Sequence, residues 1–279
     1  MEFGITVFGE CSISPARLGP AVEERGFESL FYPEHTHIPV GSSRADGRPT
    51  KGYAYSLDPF VALSAVAATT TTLKLGTGVC LVPERDPIIT AKEVASLDHV
   101  SGGRVLFGVG AGWNREELAN HGTDPAVRMA VLAERVRAMR AIWTAEEAEY
   151  HGRYVDFEPI WSWPKPVQRP HPPVLVGGNG PGSEDRVLDF GDGWLPQCGP
   201  LAGIDELRQR ATRLRQRAAD AARGPLPITL FGVPPDPGLL SGLAIAGVDR
   251  CLFALTDAAA DAALRSLDEL AELAAAHVS

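Results

Sequence analysis

The feature that most constrains this chain is a rhythm: eight short runs of β-branched, aromatic and aliphatic residues, each followed by a helical pattern. The runs lie near Phe3–Phe8, Phe27–Tyr32, Leu73–Val79, Arg104–Val109, Val174–Val176, Gly193–Pro196, Ile228–Val233 and Arg250–Leu255. Strands that alternate with helices pair in parallel, so the outcome is either a doubly wound sheet or a closed barrel. Eight repeats favour the α/β class in its (β/α)8 TIM-barrel form. The 279 residues are close to the roughly 250 of one such barrel, so 1–279 reads as a single domain.

The helices are legible as well. Leu132, Val136, Met139 and Trp143 form one apolar stripe, and Leu264, Leu267, Ala271 and Ala274 form another in the last helix. Asp86-Pro87 reads as a helix start, a capping side chain followed by proline at the first helical position. Ser101-Gly102-Gly103 reads as that helix's end. Two stretches interrupt the rhythm. Residues 33–58, rich in Gly, Pro, Ser and Thr, follow the second strand, and residues 150–172, with Trp161, Trp163 and several prolines, precede the fifth. Long connections in compact domains usually serve binding, so both are expected to cover the mouth of the barrel.

Composition enters as an exclusion. A formal net charge of −9 disfavours nucleic acid and anionic membranes as partners. No segment reaches the roughly 20 apolar residues of a membrane helix. Cys11, Cys80, Cys198 and Cys251 are scattered without a Cys-x-x-Cys pair, which points to a reducing cytoplasm.

In a barrel of this kind chemistry sits on the loops after the strands, and the turns into the strands serve stability. Ser101-Gly102-Gly103-Arg104 and Gly191-Asp192-Gly193 therefore read as tight turns on the lower face. On the functional face are Gly76-Thr77-Gly78-Val79-Cys80 after the third strand and Gly108-Val109-Gly110-Ala111-Gly112-Trp113 after the fourth. The latter is G-x-G-x-G, not the G-x-G-x-x-G of a dinucleotide site. Glycine there lets a flat ring approach the backbone. Gly177-Gly178-Asn179-Gly180 follows the fifth strand and leads into a helix near Ser183, an arrangement that can cradle a phosphate.

Pro33-Glu34-His35-Thr36-His37 follows the second strand. His35 is a candidate general acid or base. His-x-His also suits a metal, or either ring simply bonds the loop. No third and fourth ligands stand at other strand ends, so no metal is expected.

Taken in order, Glu34-His35, Leu75–Val79, Asp86-Pro87, Leu97-Asp98, Ser101–Arg104, Gly108–Trp113, Gly177-Gly178, Gly191–Trp194 and Gly247–Arg250 resemble the bacterial luciferase-like family. The likeness is to its deazaflavin (coenzyme F-420)-dependent oxidoreductase branch, over nearly the whole chain. The resemblance implies a cis peptide at Gly78–Val79 that bulges against the cofactor's central ring. It also implies Thr77, Ala111 and Gly112 along the ring system, Gly177, Gly178, Asn179 and Gly180 on the cofactor phosphate, and Glu34 and His35 as catalytic residues. Trp113 and His37 would border the substrate pocket. Sugar-phosphate dehydrogenase members carry a glutamate where this chain has Trp113, which argues against a sugar phosphate. Glu116 would reach the cofactor, or else Glu116 and Glu117 are first-turn acids favoured by the helix dipole. Arg85 would meet the cofactor's acidic part or lie at the surface.

The expected function is hydride transfer between a small organic substrate and coenzyme F-420. The alternatives are a flavin mononucleotide (FMN)-dependent monooxygenase, a flavin- or deazaflavin-binding protein without turnover, and a metal-dependent hydrolase. A homodimer is the assembly the resemblance implies.

Overall fold

The computed structural model describes residues 1–9, 12–44, 47, 50–199, 201, 203–256 and 259–278. Its strands are β1 (Glu2–Val7), β2 (Ser29–Tyr32), β3 (Lys74–Thr77), β4 (Cys80–Leu81), β5 (Val105–Gly110), β6 (Ala148–His151), β7 (Asp156–Ile160), β8 (Val174–Gly177), β9 (Gly193–Leu195), β10 (Thr229–Val233) and β11 (Arg250–Leu255). The helices are α1 (Pro15–Glu24), α2 (Pro59–Ala67), α3 (Pro87–Ser101), α4 (Arg115–Asn120), α5 (Arg128–Thr144), α6 (Ser183–Phe190), α7 (Ile204–Asp220), α8 (Pro237–Ile245) and α9 (Ala260–Val278).

Eight strands pair in parallel in the order β10-β11-β1-β2-β3-β5-β8-β9. The two ends meet through isolated parallel bridges, Trp194 with Ile228 and Gln197 with Phe231, so the barrel is nearly closed. These are the eight runs anticipated from the sequence. Three further strands are β4, which extends the third strand's path beside β5, and the antiparallel pair β6–β7.

Period-two alternation divides the strand side chains into two populations. Phe31, Leu106, Leu175, Leu195 and Leu252 form one buried cluster, joined by Val79 and Phe231. Their neighbours along the strands, among them Leu30, Tyr32, Val105, Phe107, Val174 and Val176, pack in the larger cluster with helix residues such as Val136, Met139 and Leu267. The first fills the barrel and the second binds the helical ring to it. At residue 76 a Cβ would lie 2.3 Å from the Phe31 ring, so glycine there makes the room that Phe31 occupies.

Asp86 caps α3, accepting from the amides of Ile88 and Ile89 at 2.9 Å, and Gly102 closes the helix with φ of +69°. Asp86→Ala is expected to cost about 1 kcal/mol of folding stability in urea titrations, the usual worth of such a cap. A loss below a few tenths would mean that water replaces the carboxylate there.

The two insertions part company. The described residues of 33–58 include a short 3-10 turn, Lys51–Tyr55, and Pro33, Arg44 and Tyr53 among them line the cavity at the strands' C-terminal face. The second insertion, expected at the mouth, instead runs along α5, its turn bonded to Glu134 through the amides of Arg153, Tyr154 and Val155, and then descends to the lower half of the barrel. Gln168 donates through its backbone N and Nε2 to the Asp98 carboxylate near the end of α3, and Lys165 Nζ donates to the Ile142 carbonyl near the end of α5. Both helices end where the strands begin, so these anchors carry the segment away from the mouth. Trp161 and Trp163 are accordingly 74% and 58% exposed, and neither shapes the cavity described below.

Among the described residues no helix is long and apolar enough to cross a membrane, and no group of His, Cys, Asp and Glu could hold a metal ion. Cys80, Cys198 and Cys251 are free thiols; Cys11 lies outside the described residues.

Candidate active site

A cavity of about 560 Å³ opens at the C-terminal ends of the barrel strands, a size suited to a ring ligand of a few fused rings. Its walls bring together Glu34 and His35 after β2, Gly78 and Val79 after β3, Ala111, Gly112 and Trp113 after β5, and Gly177–Gly180 after β8. Phe8, Tyr53, Met129, Leu132, Leu195 and Phe231 add an apolar lining.

The Gly78–Val79 peptide is cis. The Val79 side chain points across to β5 and β8, where a Cβ on Gly110 would lie 2.5 Å from its Cγ2 and one on Gly177 3.0 Å from its Cγ1. These strand-end glycines therefore accommodate Val79 as well as leaving the backbone open to the cavity. Thr77 is buried below this floor, and its hydroxyl donates to the Gly108 carbonyl at 2.7 Å, locking β3 to β5. It does not line the cavity.

Glu34 lines the cavity, but both carboxylate oxygens are engaged. Oε2 accepts from the Leu81 amide and Oε1 from Arg85 Nε, each at 2.6 Å. Arg85 also donates to Asp58 and Glu93. Burial opposes the guanidinium charge, but the bond and attraction to Glu34 outweigh it and hold Arg85 well above its ordinary pKa. Arg85 is thus neither a surface cation nor a cavity group, and Glu34 acts as the brace of the β3–β4 bend.

His35 stands differently. Its Nδ1 is 2.6 Å from Glu117 Oε2, and the indole Nε1 of Trp113 donates to its Nε2 at 3.1 Å. A carboxylate only accepts and an indole N–H only donates, so the ring carries its hydrogen on Nδ1 and turns the Nε2 lone pair to the cavity. Glu117 is fully buried, and its second oxygen accepts from the Thr36 amide at 3.0 Å and the His37 amide at 3.5 Å. One carboxylate therefore fixes both the ring and the loop that carries it.

Glu117 was legible only as a first-turn acid. Asn114 caps α4 by accepting from the Glu117 amide at 3.1 Å, and Asn114-Arg115-Glu116-Glu117 has the spacing of a cap followed by an acid at the third helical position. Helix phase then turns Glu117 inward, while Glu116 is solvent-exposed and stands away from the cavity wall. His37 is also outside the wall. Its Nδ1 meets Thr36 Oγ1 and its Nε2 meets Asn120 Nδ2, both at 2.8 Å.

At the other end, Gly178 has φ of +113°, a conformation that L side chains rarely adopt. Asn179 exchanges two hydrogen bonds with the Gln197 backbone, so its side chain shapes the loop. The first turn of α6 follows, with Gly182 in the cap position and no side-chain cap. Glu184 in that turn is neutralised by Arg210 and Arg213: burial raises its pKa, but hydrogen bonds from Arg210, its own backbone and Arg213 pull it down to about 2. Arg186 reaches the cavity and, among the described residues, forms no ion pair. These residues could hold an anionic group.

Residues 16–234 match the family described as luciferase-like monooxygenase. The chain belongs to that family. An uncharacterized protein of Mycobacterium tuberculosis is 42% identical to this luciferase-like chain over 282 residues, covering 97% of this chain and 98% of that one. Among solved structures, monooxygenase RslO1 from Streptomyces bottropensis superposes with a TM-score of 0.83 at 21% identity, covering 100% of both chains. An F420-dependent secondary alcohol dehydrogenase in complex with an F420-acetone adduct superposes with a TM-score of 0.75 at 17% identity, covering 98% and 99%. At these identities the structural likenesses establish the luciferase-like barrel fold.

Proposed function

We propose that this luciferase-like protein is an oxidoreductase that transfers hydride between a small organic substrate and coenzyme F-420 held in the C-terminal cavity. The carrying observation is the His35–Glu117 pair, which presents a neutral imidazole Nε2 to the cavity: hydride transfer to or from an alcohol carbon needs a partner for the hydroxyl proton. When bound, the deazaflavin supplies the hydride acceptor or donor.

The cavity's own residues fit such a group. Gly177, Gly178 and Gly180 with the first turn of α6 and Arg186 suit the phosphate, since the loop exposes backbone, the helix end is positive and the guanidinium, bonded to Ser183 Oγ, pairs with no acid among the described residues. Gly78, Val79, Ala111 and Gly112 border the ring space, and Trp113 the substrate. In this reading His35 moves the proton, Glu117 orients it, and Glu34 braces the floor. Glu116 and His37, which stand off the cavity, take no part. The single domain of 1–279 acts as a homodimer, as the family resemblance implies.

The second reading is an FMN-dependent monooxygenase, favoured by the monooxygenase description of the family match. Titration of the protein with coenzyme F-420 and separately with FMN, followed by fluorescence, tests both. Tighter binding of F-420 is expected, with at least a hundredfold loss in Gly178→Trp, whose side chain needs an unsuitable φ and fills the phosphate end. Preference for FMN with substrate-dependent oxygen uptake would establish the second reading. Binding without turnover would make the protein a carrier, and binding of neither would remove the cavity assignment.

A further inference from the structure

We propose that Trp113 is a displaceable cap on His35, and that a substrate must present a hydrogen-bond donor, a hydroxyl, to take its place. The inference rests on His35 as the proton-transfer residue.

With Nδ1–H committed to Glu117 at 2.6 Å, the lone pair on Nε2 is the ring's one remaining polar site, and the Trp113 indole N–H occupies it at 3.1 Å. The indole is itself held from behind. Its ring lies 5.4 Å from that of Tyr53, and the Arg44 guanidinium sits 5.1 Å from it while donating to the Tyr53 hydroxyl at 2.7 Å. Tyr53 and Arg44 both come from the 33–58 insertion, so the insertion's visible purpose at the site is to hold the cap. Tyr53 also stacks edge-on against His35 at 5.1 Å, which confines the ring to the cavity side now taken by the indole.

A ligand oxygen that only accepts, such as a ketone, cannot replace a donor on this lone pair. A hydroxyl can, and its hydrogen then points at Nε2 along the line the indole N–H vacates. The cap thereby keeps the accepting Nε2 of His35 satisfied in a largely apolar cavity until another donor arrives, and selects hydroxylic ligands over carbonyl ones in the resting protein.

The test uses the whole protein without cofactor or turnover. Diethyl pyrocarbonate modifies the free lone pair of neutral imidazole, and mass spectrometry reads each histidine separately. Trp113→Phe keeps an aromatic ring but removes the donor, so modification of His35 is expected to accelerate about fivefold, the usual net worth of one neutral hydrogen bond, with His37 and His121 unchanged. Tyr53→Phe, which loosens the Arg44 latch and leaves the indole N–H, should change it less than twofold. Equal acceleration in the two variants would mean simple access and would overturn the cap, as would no acceleration in Trp113→Phe.

The bond itself is read by the indole N–H resonance of Trp113, which should move toward that of a free indole in His35→Phe and on titrating wild type with 2-butanol. An unmoved resonance in His35→Phe overturns the cap, and an equal response to 2-butanone overturns the donor requirement. These readouts stand apart from activity, so the cap can fail while His35 remains the proton-transfer residue, and the reverse.

Discussion

Glu117→Gln should reduce kcat/KM by roughly 100- to 10,000-fold, although it changes one oxygen to an NH2 on a side chain outside the cavity wall. The carboxylate has two acceptor oxygens and uses both, one for His35 Nδ1 and one for the Thr36 and His37 amides. An amide has one. If its oxygen stays with the backbone, its NH2 faces His35 and drives the ring's hydrogen to Nε2, where it meets the Trp113 indole N–H donor to donor. If its oxygen turns to His35, the NH2 faces two backbone N–H groups. Either arrangement strands donors in a buried place and costs about 1–3 kcal/mol of stability besides.

Steady-state turnover and the ring nitrogen shifts of His35 check this together. Loss of activity with the hydrogen moved to Nε2 is the expected pair of results. Activity within threefold of wild type would mean that the tautomer set by Glu117 is not used in catalysis.

The second large effect is on stability and belongs to Glu84. Its carboxyl is buried, with neither oxygen hydrogen-bonded among the described residues, and His121 Nε2 is 3.8 Å away. A Cβ on Gly112 would lie 3.3 Å from one of those oxygens, so Glu84 sits directly beneath the cavity's edge. Burial first, and then the neighbouring Glu117 and Glu34, push its pKa up from 4.5 to about 8.

A carboxyl that binds its proton more tightly when folded is neutral in both states below pH 4.5 and contributes nothing to pH dependence there. Between 4.5 and about 8 the unfolded chain gives up the proton and the folded chain keeps it, so stability falls as pH rises, and above 8 the loss is complete. At 1.36 kcal/mol per unit the interval corresponds to about 5 kcal/mol. Glu84→Gln should therefore match wild type within about 1 kcal/mol at pH 4.5 and exceed it by about 4–5 kcal/mol at pH 9 in urea titrations. Parallel profiles for the two proteins would mean that Glu84 is ionised in the folded state at neutral pH.

These two acids owe their roles to contacts that no local pattern in the chain carries. Glu117 and Glu116 are adjacent first-turn acids with the same local role. Which of them meets His35 depends on the phase of α4 against a loop 82 residues earlier. Glu84 follows Val82-Pro83 in a short turn and has no local signature; its unusual titration comes from what packs around it. Glu34 shows the converse. Its place beside His35 suggests chemistry, yet Arg85 and the Leu81 amide, brought from the next strand, make it a brace.

The barrel and the face that carries the candidate site are legible along the chain, because alternation along strands, helical stripes, caps and glycine turns are local properties that eight repeats read out consistently. The glycine loop after β8 and the histidine after β2 are legible too, since strand-end position alone places them at the mouth. Tertiary structure decided the rest: that the 150–172 insertion descends to the lower face, that Trp113 closes on His35, and that Glu117 rather than Glu116 or Glu34 is its partner. Each is a hydrogen bond or a packing contact between residues far apart in the chain. Such contacts depend on helix phase and loop path, and neither is encoded in the local pattern that specifies the strands and helices themselves.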